Sequence, residues 1–170
     1  MKILQDQSLK LFMKKKIFKR ILIIGSNEKF SLENMYFRGF KNLEIDTKFL
    51  HIYNIRKHIL NKIFWKYFKF LSFIFIRHKI LKFLRINRNC YDLVIIFKGL
   101  YLTKDLIKKG KKLQNNSKWV NIYPDDPLNV NIFQDISNKG VINSITCFDI
   151  FYILSKIILK KLKKKYPLQK

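Results

Sequence analysis

Two carboxylates stand side by side in Trp119-Val120-Asn121-Ile122-Tyr123-Pro124-Asp125-Asp126-Pro127. Adjacent acids held between prolines at a strand end do not easily both turn away from the edge. Such a pair can orient a hydroxyl, take its proton as a general base, or bind a metal. The alternative use of Asp125 and Asp126 is structural, one capping the following turn through backbone amides while the other is solvated. No further acidic or histidine ligand accompanies them, so no metal site is expected. Lys98-Gly99 follows another apolar run and can meet an anionic group, although one lysine carries little weight in so basic a chain. Gly25-Ser26-Asn27-Glu28 closes the first apolar run. It lacks the GxGxxG spacing that lets a pyrophosphate approach a helix start, which disfavours a nicotinamide dehydrogenase, and the absence of GxxxxGK[ST] excludes a P-loop hydrolase. His51, His58 and His78 are scattered and read as structural or solvated. Cys90 and Cys147 form no CxxC pair and read as buried thiols of a reducing compartment.

The elements that must position these residues alternate between strand and helix. Arg20 to Ser26 is a short β-branched run ending in glycine, as for a strand buried on both faces. Ser31 can cap a helix whose apolar positions Leu32, Met35, Tyr36 and Phe40 recur at helical spacing. An outer strand is expected at about Glu44 to Tyr53, where Ile45, Phe49 and Ile52 alternate imperfectly with polar residues. From Ile55 to Asn89 no proline or glycine interrupts a stripe of Ile59, Ile63, Tyr67, Leu71 and Ile74, predicting one long helix or two shorter ones at about 55–88. Tyr91 to Gly99 repeats the grammar of the first strand, and Thr103 caps a basic helix carrying Leu106 and Ile107. Trp119 to Tyr123 is a strand that the prolines terminate. A short helix near Asn131 to Ser137, a turn at Gly140, a strand from Asp149 to Leu154, and a Ser155-capped helix from Lys156 to Lys165 complete the series. The pattern predicts an α/β fold with a three-layer, Rossmann-like, doubly wound parallel sheet. Ligands of such sheets sit outside the carboxyl ends of the strands, which selects Gly25, Ser26, Lys98, Gly99, Asp125, Asp126, Ser155 and Lys156 as the candidate site.

Composition bounds what binds there. Thirty-six basic against eleven acidic residues give a net charge of +25, and the chain contains no alanine but abundant Lys, Asn, Ile, Phe and Tyr. That is the residue set of AT-rich codons, so mutational bias accounts for part of the lysine excess. What survives is a positive field able to hold an anionic membrane or a polyphosphate nearby. The run Phe70 to Ile76 is too short and too closely flanked by charge to span a bilayer. Lys62, Trp65, Lys66 and Lys69 share a pattern that suits an in-plane membrane contact as well as packing on the sheet. Aromatics concentrated in strands and apolar stripes argue against nucleic acid. No targeting sequence is read at the start, so a cytoplasmic protein is expected, peripheral to the inner membrane face if it touches lipid. Residues 1–18 read as a basic extension, 19–166 as one domain and 167–170 as a tail, with Met13 an alternative start.

The strand ILIIGS, the segment Tyr91-Asp92-Leu93-Val94-Ile95-Ile96-Phe97-Lys98-Gly99, the strand end Val-Asn-Ile-Tyr-Pro-Asp-Asp-Pro, and Cys147 to Phe151 leading into Ser155-Lys156 resemble, in order and spacing, the glycosyltransferase-like family that includes CgeB-type spore maturation proteins. The resemblance implies the amino-terminal, acceptor-side half of a GT-B fold, transferring a sugar from a nucleotide-sugar donor to a sugar or glycan acceptor in cell-surface polysaccharide synthesis. It implies that Gly25, Ser26, Lys98, Gly99, Tyr123, Ser155 and Lys156 line the cleft and that Asp125 or Asp126 is the base. Family members continue into a donor-binding domain where this chain reaches Lys170. The expectation is therefore no tightly bound cofactor, and a separately encoded carboxy-terminal half as partner. The alternative, from a different class, is a non-catalytic basic module binding anionic membrane or nucleic acid. A receiver-like signalling domain is disfavoured, because its acidic pair follows the first strand, where this chain has Gly25-Ser26.

Overall fold

The computed structural model describes residues 2–4, 18–26, 28–52, 69–99, 102–126 and 136–165. Among them six strands form one sheet: β1 (Lys2–Leu4), β2 (Arg20–Gly25), β3 (Asp46–His51), β4 (Leu93–Phe97), β5 (Lys118–Tyr123) and β6 (Ile150–Ile153). The strand order is β1-β6-β5-β4-β2-β3, and every pairing is parallel. The helices are α1 (Leu32–Asn42), α2 (Lys69–Ile86), α3 (Lys104–Leu113), α4 (Ile136–Ser144) and α5 (Lys156–Lys165), with a 3₁₀ turn at Ile145–Cys147. This is the expected α/β, Rossmann-like doubly wound architecture. From β2 to β6 the chain winds first toward β3 and then back across β4, β5 and β6. The direction therefore reverses between β2 and β4, the point at which doubly wound sheets open a crevice.

Parallel strands covered on both faces need apolar residues throughout, and Leu93–Phe97 is buried at all five positions. Alternate side chains feed two cores. Ile21, Ile23, Leu93 and Ile95 meet Phe40, Tyr36 and Phe37 of α1 on one face. Leu22, Ile24, Val94, Ile96 and Trp119 meet Ile76, Ile80 and Leu84 of α2, Leu106 and Ile107 of α3, Val141 of α4 and Leu162 of α5 on the other. The caps expected from sequence form: Ser31 accepts from Asn34 N–H, Thr103 from Leu106 N–H, and Ser155 from Ile158 N–H.

Several local expectations change. In α1 Met35 faces solvent and Glu33 is buried, because a carboxylate in the first helical turn is drawn to the strand end beside it. Gly140 lies inside α4, where a turn was expected; a Cβ there would come within 3.3 Å of the Leu102 carbonyl, so the glycine admits a close backbone approach. The inward stripe of α2 is Ile76, Ile80 and Leu84, whereas Ile74 of the expected stripe is 47% exposed. Of the long helical segment, Lys69–Ile86 is helix; residues 53–68, with Lys62, Trp65, Lys66 and His58, lie outside the described residues. Three residues of the expected amino-terminal extension, Lys2–Leu4, join the sheet beside β6, where they satisfy backbone groups that an open edge would leave unpaired.

Candidate functional site at the carboxyl edge of the sheet

At the end of β2 the Gly25 carbonyl accepts from Ile52 N–H at 3.1 Å, tying the turn to the end of β3. Ser26 is held by α1: its hydroxyl donates to Glu33 Oε1 at 3.1 Å and its backbone N–H to the same oxygen at 3.4 Å. A Cβ at position 25 would fall 2.6 Å from Glu33 Cγ, so Gly25 is what lets this buried carboxylate approach. Ser26 thus keeps acceptor capacity on its hydroxyl while its donor is engaged. Glu33 was not expected at the site. The signal in the sequence was an acid in the first turn of the helix that follows a Gly-Ser strand end.

At the end of β4 the backbone enters the left-handed region twice in succession, at Lys98 (φ 59°) and Gly99 (φ 70°). Glycine adopts this freely; lysine does so at about 1 kcal/mol or more. The turn is held by Lys98 N–H donating to the Ile122 carbonyl at 2.9 Å and by Gly99 N–H donating to the Phe97 carbonyl at 2.6 Å. It presents the Lys98 side chain along the edge toward the end of β5, where Nζ meets Asp125 Oδ2 at 3.0 Å. Both side chains remain about half exposed, 43% and 54%, so the ion pair contributes no more than about 1 kcal/mol and an incoming polar ligand can displace it.

Tyr123, the last residue of β5, is buried, and its hydroxyl is pushed up to about 12, chiefly by burial and then by the charges of Asp125 and Asp126. It remains a protonated phenol through the physiological range, suited to hydrogen bonding rather than to taking a proton. The sequence-derived site residues therefore divide. Lys98, Gly99, Tyr123, Asp125 and Asp126 gather at the ends of β4 and β5. Gly25 and Ser26 form a second station with Glu33 at the end of β2. Ser155 and Lys156 follow β6, and there the Ser155 hydroxyl serves as the cap of α5. Lys69 is the first residue of α2.

Beneath the Lys98-Gly99 turn lies a residue that sequence reasoning missed. Asn121 is wholly buried in β5, paired in register with Ile96 of β4 and Phe151 of β6. Neither its amide nitrogen nor its amide oxygen has a hydrogen-bond partner. A Cβ on Gly99 would come 2.6 Å from Asn121 Nδ2, so the turn sits directly on this amide. The clue in the sequence was one polar residue within an otherwise apolar strand, Trp-Val-Asn-Ile-Tyr. An unsatisfied buried amide is costly, and a functional site is one of the places where that cost is borne.

His51, at the end of the edge strand β3, stacks on Phe49 with centroids 4.4 Å apart, and its carbonyl accepts from Lys79 Nζ. Burial, and then the Lys79 charge, lower its pKa, which leaves it a neutral ring packed against the sheet. Among the described residues no group of three or more His, Cys, Asp or Glu is placed to hold a metal ion. Comparison of the chain with protein-family models, with curated proteins and with solved structures gives no match.

Proposed function

We propose that this chain is the acceptor-side half of a GT-B-type glycosyltransferase, acting in cell-surface polysaccharide or glycan synthesis together with a donor-binding half. The observation that carries the reading is the displaceable Lys98–Asp125 ion pair at the carboxyl edge, one strand from the point where the winding reverses. A sugar acceptor offers many hydroxyls that both donate and accept. An exposed carboxylate takes the donated hydrogen, while a lysine and a buried tyrosine hydroxyl supply donors. In transfer, the acceptor hydroxyl loses its proton to Asp125 or Asp126 as its oxygen forms the new glycosidic bond. The nucleotide leaves from the donor held by the other half. Ser26, fixed by Glu33, supplies an acceptor on the far side of the crevice.

The test is an amide-resolved NMR titration of the chain with a panel of mono- and oligosaccharides. The expected result is saturable movement of the Ser26, Lys98, Gly99, Asp125 and Asp126 signals, lost in Asp125→Asn/Asp126→Asn. Sugars that move none of these signals, or move only signals at the opposite edge, would overturn the reading. A positive titration is followed by radiolabelled transfer from nucleotide sugars in the presence of a candidate donor-binding half.

A further inference from the structure

Helix α2 is apolar on two sides. Its inner side, Ile76, Ile80 and Leu84, is buried in the core. Its outer side carries Ile74, Phe75 and Ile86, with Phe75 59% and Ile86 73% exposed. The core covers the inner side, and the outer side sets its apolar side chains among basic ones. Residues three, four and seven apart share a helix face, so Ile74, Phe75, His78, Lys82, Arg85 and Ile86 form one outward stripe. All six are exposed or nearly so, and α2 contains no acidic residue. From Ile74 to Ile86 the stripe runs about 18 Å at 1.5 Å per residue, long enough to lie along a surface.

The neighbouring helix extends the same chemistry. α3 packs beside α2, and its exposed residues include Lys104, Lys108, Lys109 and Lys112 against the single acid Asp105. The remaining lysine of α3, Lys111, pairs instead with Asp149 at 3.0 Å. Three exposed apolar side chains thus sit in a field of lysine and arginine. An apolar protein partner does not require that field, and a nucleic acid does not require the aliphatic side chains. An anionic bilayer needs both, since apolar side chains enter the headgroup boundary while cations meet acidic lipid. Among the described residues no helix is long and apolar enough to cross a membrane, so the contact is in-plane.

We infer that the outward faces of α2 and α3 form a docking surface for an anionic lipid bilayer, with Phe75 and Ile86 inserted at the headgroup boundary and Lys82 and Arg85 paired with acidic lipid. The surface is distinct from the carboxyl-edge site and does not depend on what that site binds. It places the contact on residues 74–86, C-terminal to the 62–69 segment that the sequence suggested.

The test is co-sedimentation of the full chain with vesicles of phosphatidylcholine containing about one third phosphatidylglycerol, and with phosphatidylcholine alone, at physiological ionic strength. The chain is expected to pellet with the acidic vesicles and stay in solution with the neutral ones. Lys82→Glu/Arg85→Glu should weaken binding about 30-fold or more, at about 1 kcal/mol for each lost cation. Phe75→Ser should weaken it about tenfold, the loss of one inserted aromatic side chain. Thermal melts confirm that each variant folds. Independently, Phe75→Trp should gain fluorescence quenching by brominated lipid relative to the unmodified chain. No binding to acidic vesicles would overturn the inference. So would Lys82→Glu/Arg85→Glu binding unchanged, or Phe75→Ser binding unchanged with no quenching at Phe75→Trp, which would mark adhesion by net charge alone. Displacement from vesicles by single-stranded RNA that binds equally to Phe75→Ser would assign the basic face to nucleic acid instead.

Discussion

The two edges of this sheet are built from the same strands yet treat polar groups in opposite ways. At the amino edge Asp92, Asp149 and Gln114 complete backbone pairings. Asp92 Oδ2 accepts from the N–H groups of Lys19 and Arg20 at 3.0 and 2.9 Å, clamping the start of β4 to that of β2. Asp149 does the same for β5, accepting from Trp119 N–H at 2.7 Å while pairing with Lys111. Gln114, fully buried, accepts from Tyr91 N–H and donates to the carbonyls of Leu84 and Asn87. At the carboxyl edge Asn121 has no partner, Lys98 occupies a disfavoured backbone conformation, and Lys98–Asp125 is an exposed, weak pair. The amino edge uses these side chains to tie strands together, whereas the carboxyl edge keeps a buried amide unpaired beside a solvent-exposed ion pair. That division is where doubly wound folds separate scaffold from site.

Breaking the scaffold edge should have the largest effect. Gln114→Ala strips a buried N–H and two carbonyls of their partners and should cost about 3 kcal/mol, measured by urea unfolding. Gly99→Ala should cost about 2 kcal/mol, from the left-handed backbone and from the clash with Asn121. The cost should shrink in an Asn121→Ala background, where only the backbone contribution remains. Asn121→Leu tests the comparison from the other direction. Replacing an unsatisfied amide by an apolar side chain of similar volume should stabilise the fold by about 1 kcal/mol, and loss of sugar binding in the same variant would tie the amide to the site. Asp125→Asn should move stability by less than about 1 kcal/mol while abolishing the titration response at the edge.

The smallest effect is a difference between two tyrosines. Tyr91 at the amino edge and Tyr123 at the carboxyl edge are both pushed up to about 12, first by burial; the next contributions are Cys90 and Asp46 for Tyr91, and Asp125 and Asp126 for Tyr123. Because the folded value lies above the ordinary value of 10, each contributes stability that is whole below pH 10 and is lost as pH rises through about 12. Thermal melts between pH 9 and 12 should therefore fall less steeply for Tyr123→Phe than for the unmodified chain. Asp125→Asn/Asp126→Asn should lower the Tyr123 titration and leave that of Tyr91 in place, read by phenolate absorbance in variants lacking one tyrosine or the other.

Regular patterns were legible in advance because they obey local rules. The short β-branched apolar runs at β2, β4 and β5, bounded by turn residues, read as strands buried on both faces, and Ser31, Thr103 and Ser155 mark helix starts by a hydrogen bond within three residues. With the parallel-sheet rule, those runs place Lys98, Gly99, Asp125 and Asp126 at one edge. Phase along a helix was less secure. A stripe drawn through Ile74 missed the buried one at Ile76, Ile80 and Leu84, because α2 is apolar on both sides and periodicity alone does not choose between them.

What the sequence determined by itself is the alternation of strand and helix, the strand ends, and the large excess of positive charge, each set by residues that are neighbours in the chain. The tertiary structure decided which groups meet. It brought Glu33 under Ser26, Lys98 across to Asp125, and the Gly99 turn onto the unpaired amide of Asn121. It also decided which apolar side of α2 would face outward. These outcomes depend on strand order and on which face of the sheet each helix covers, and both are fixed by packing between segments far apart in sequence.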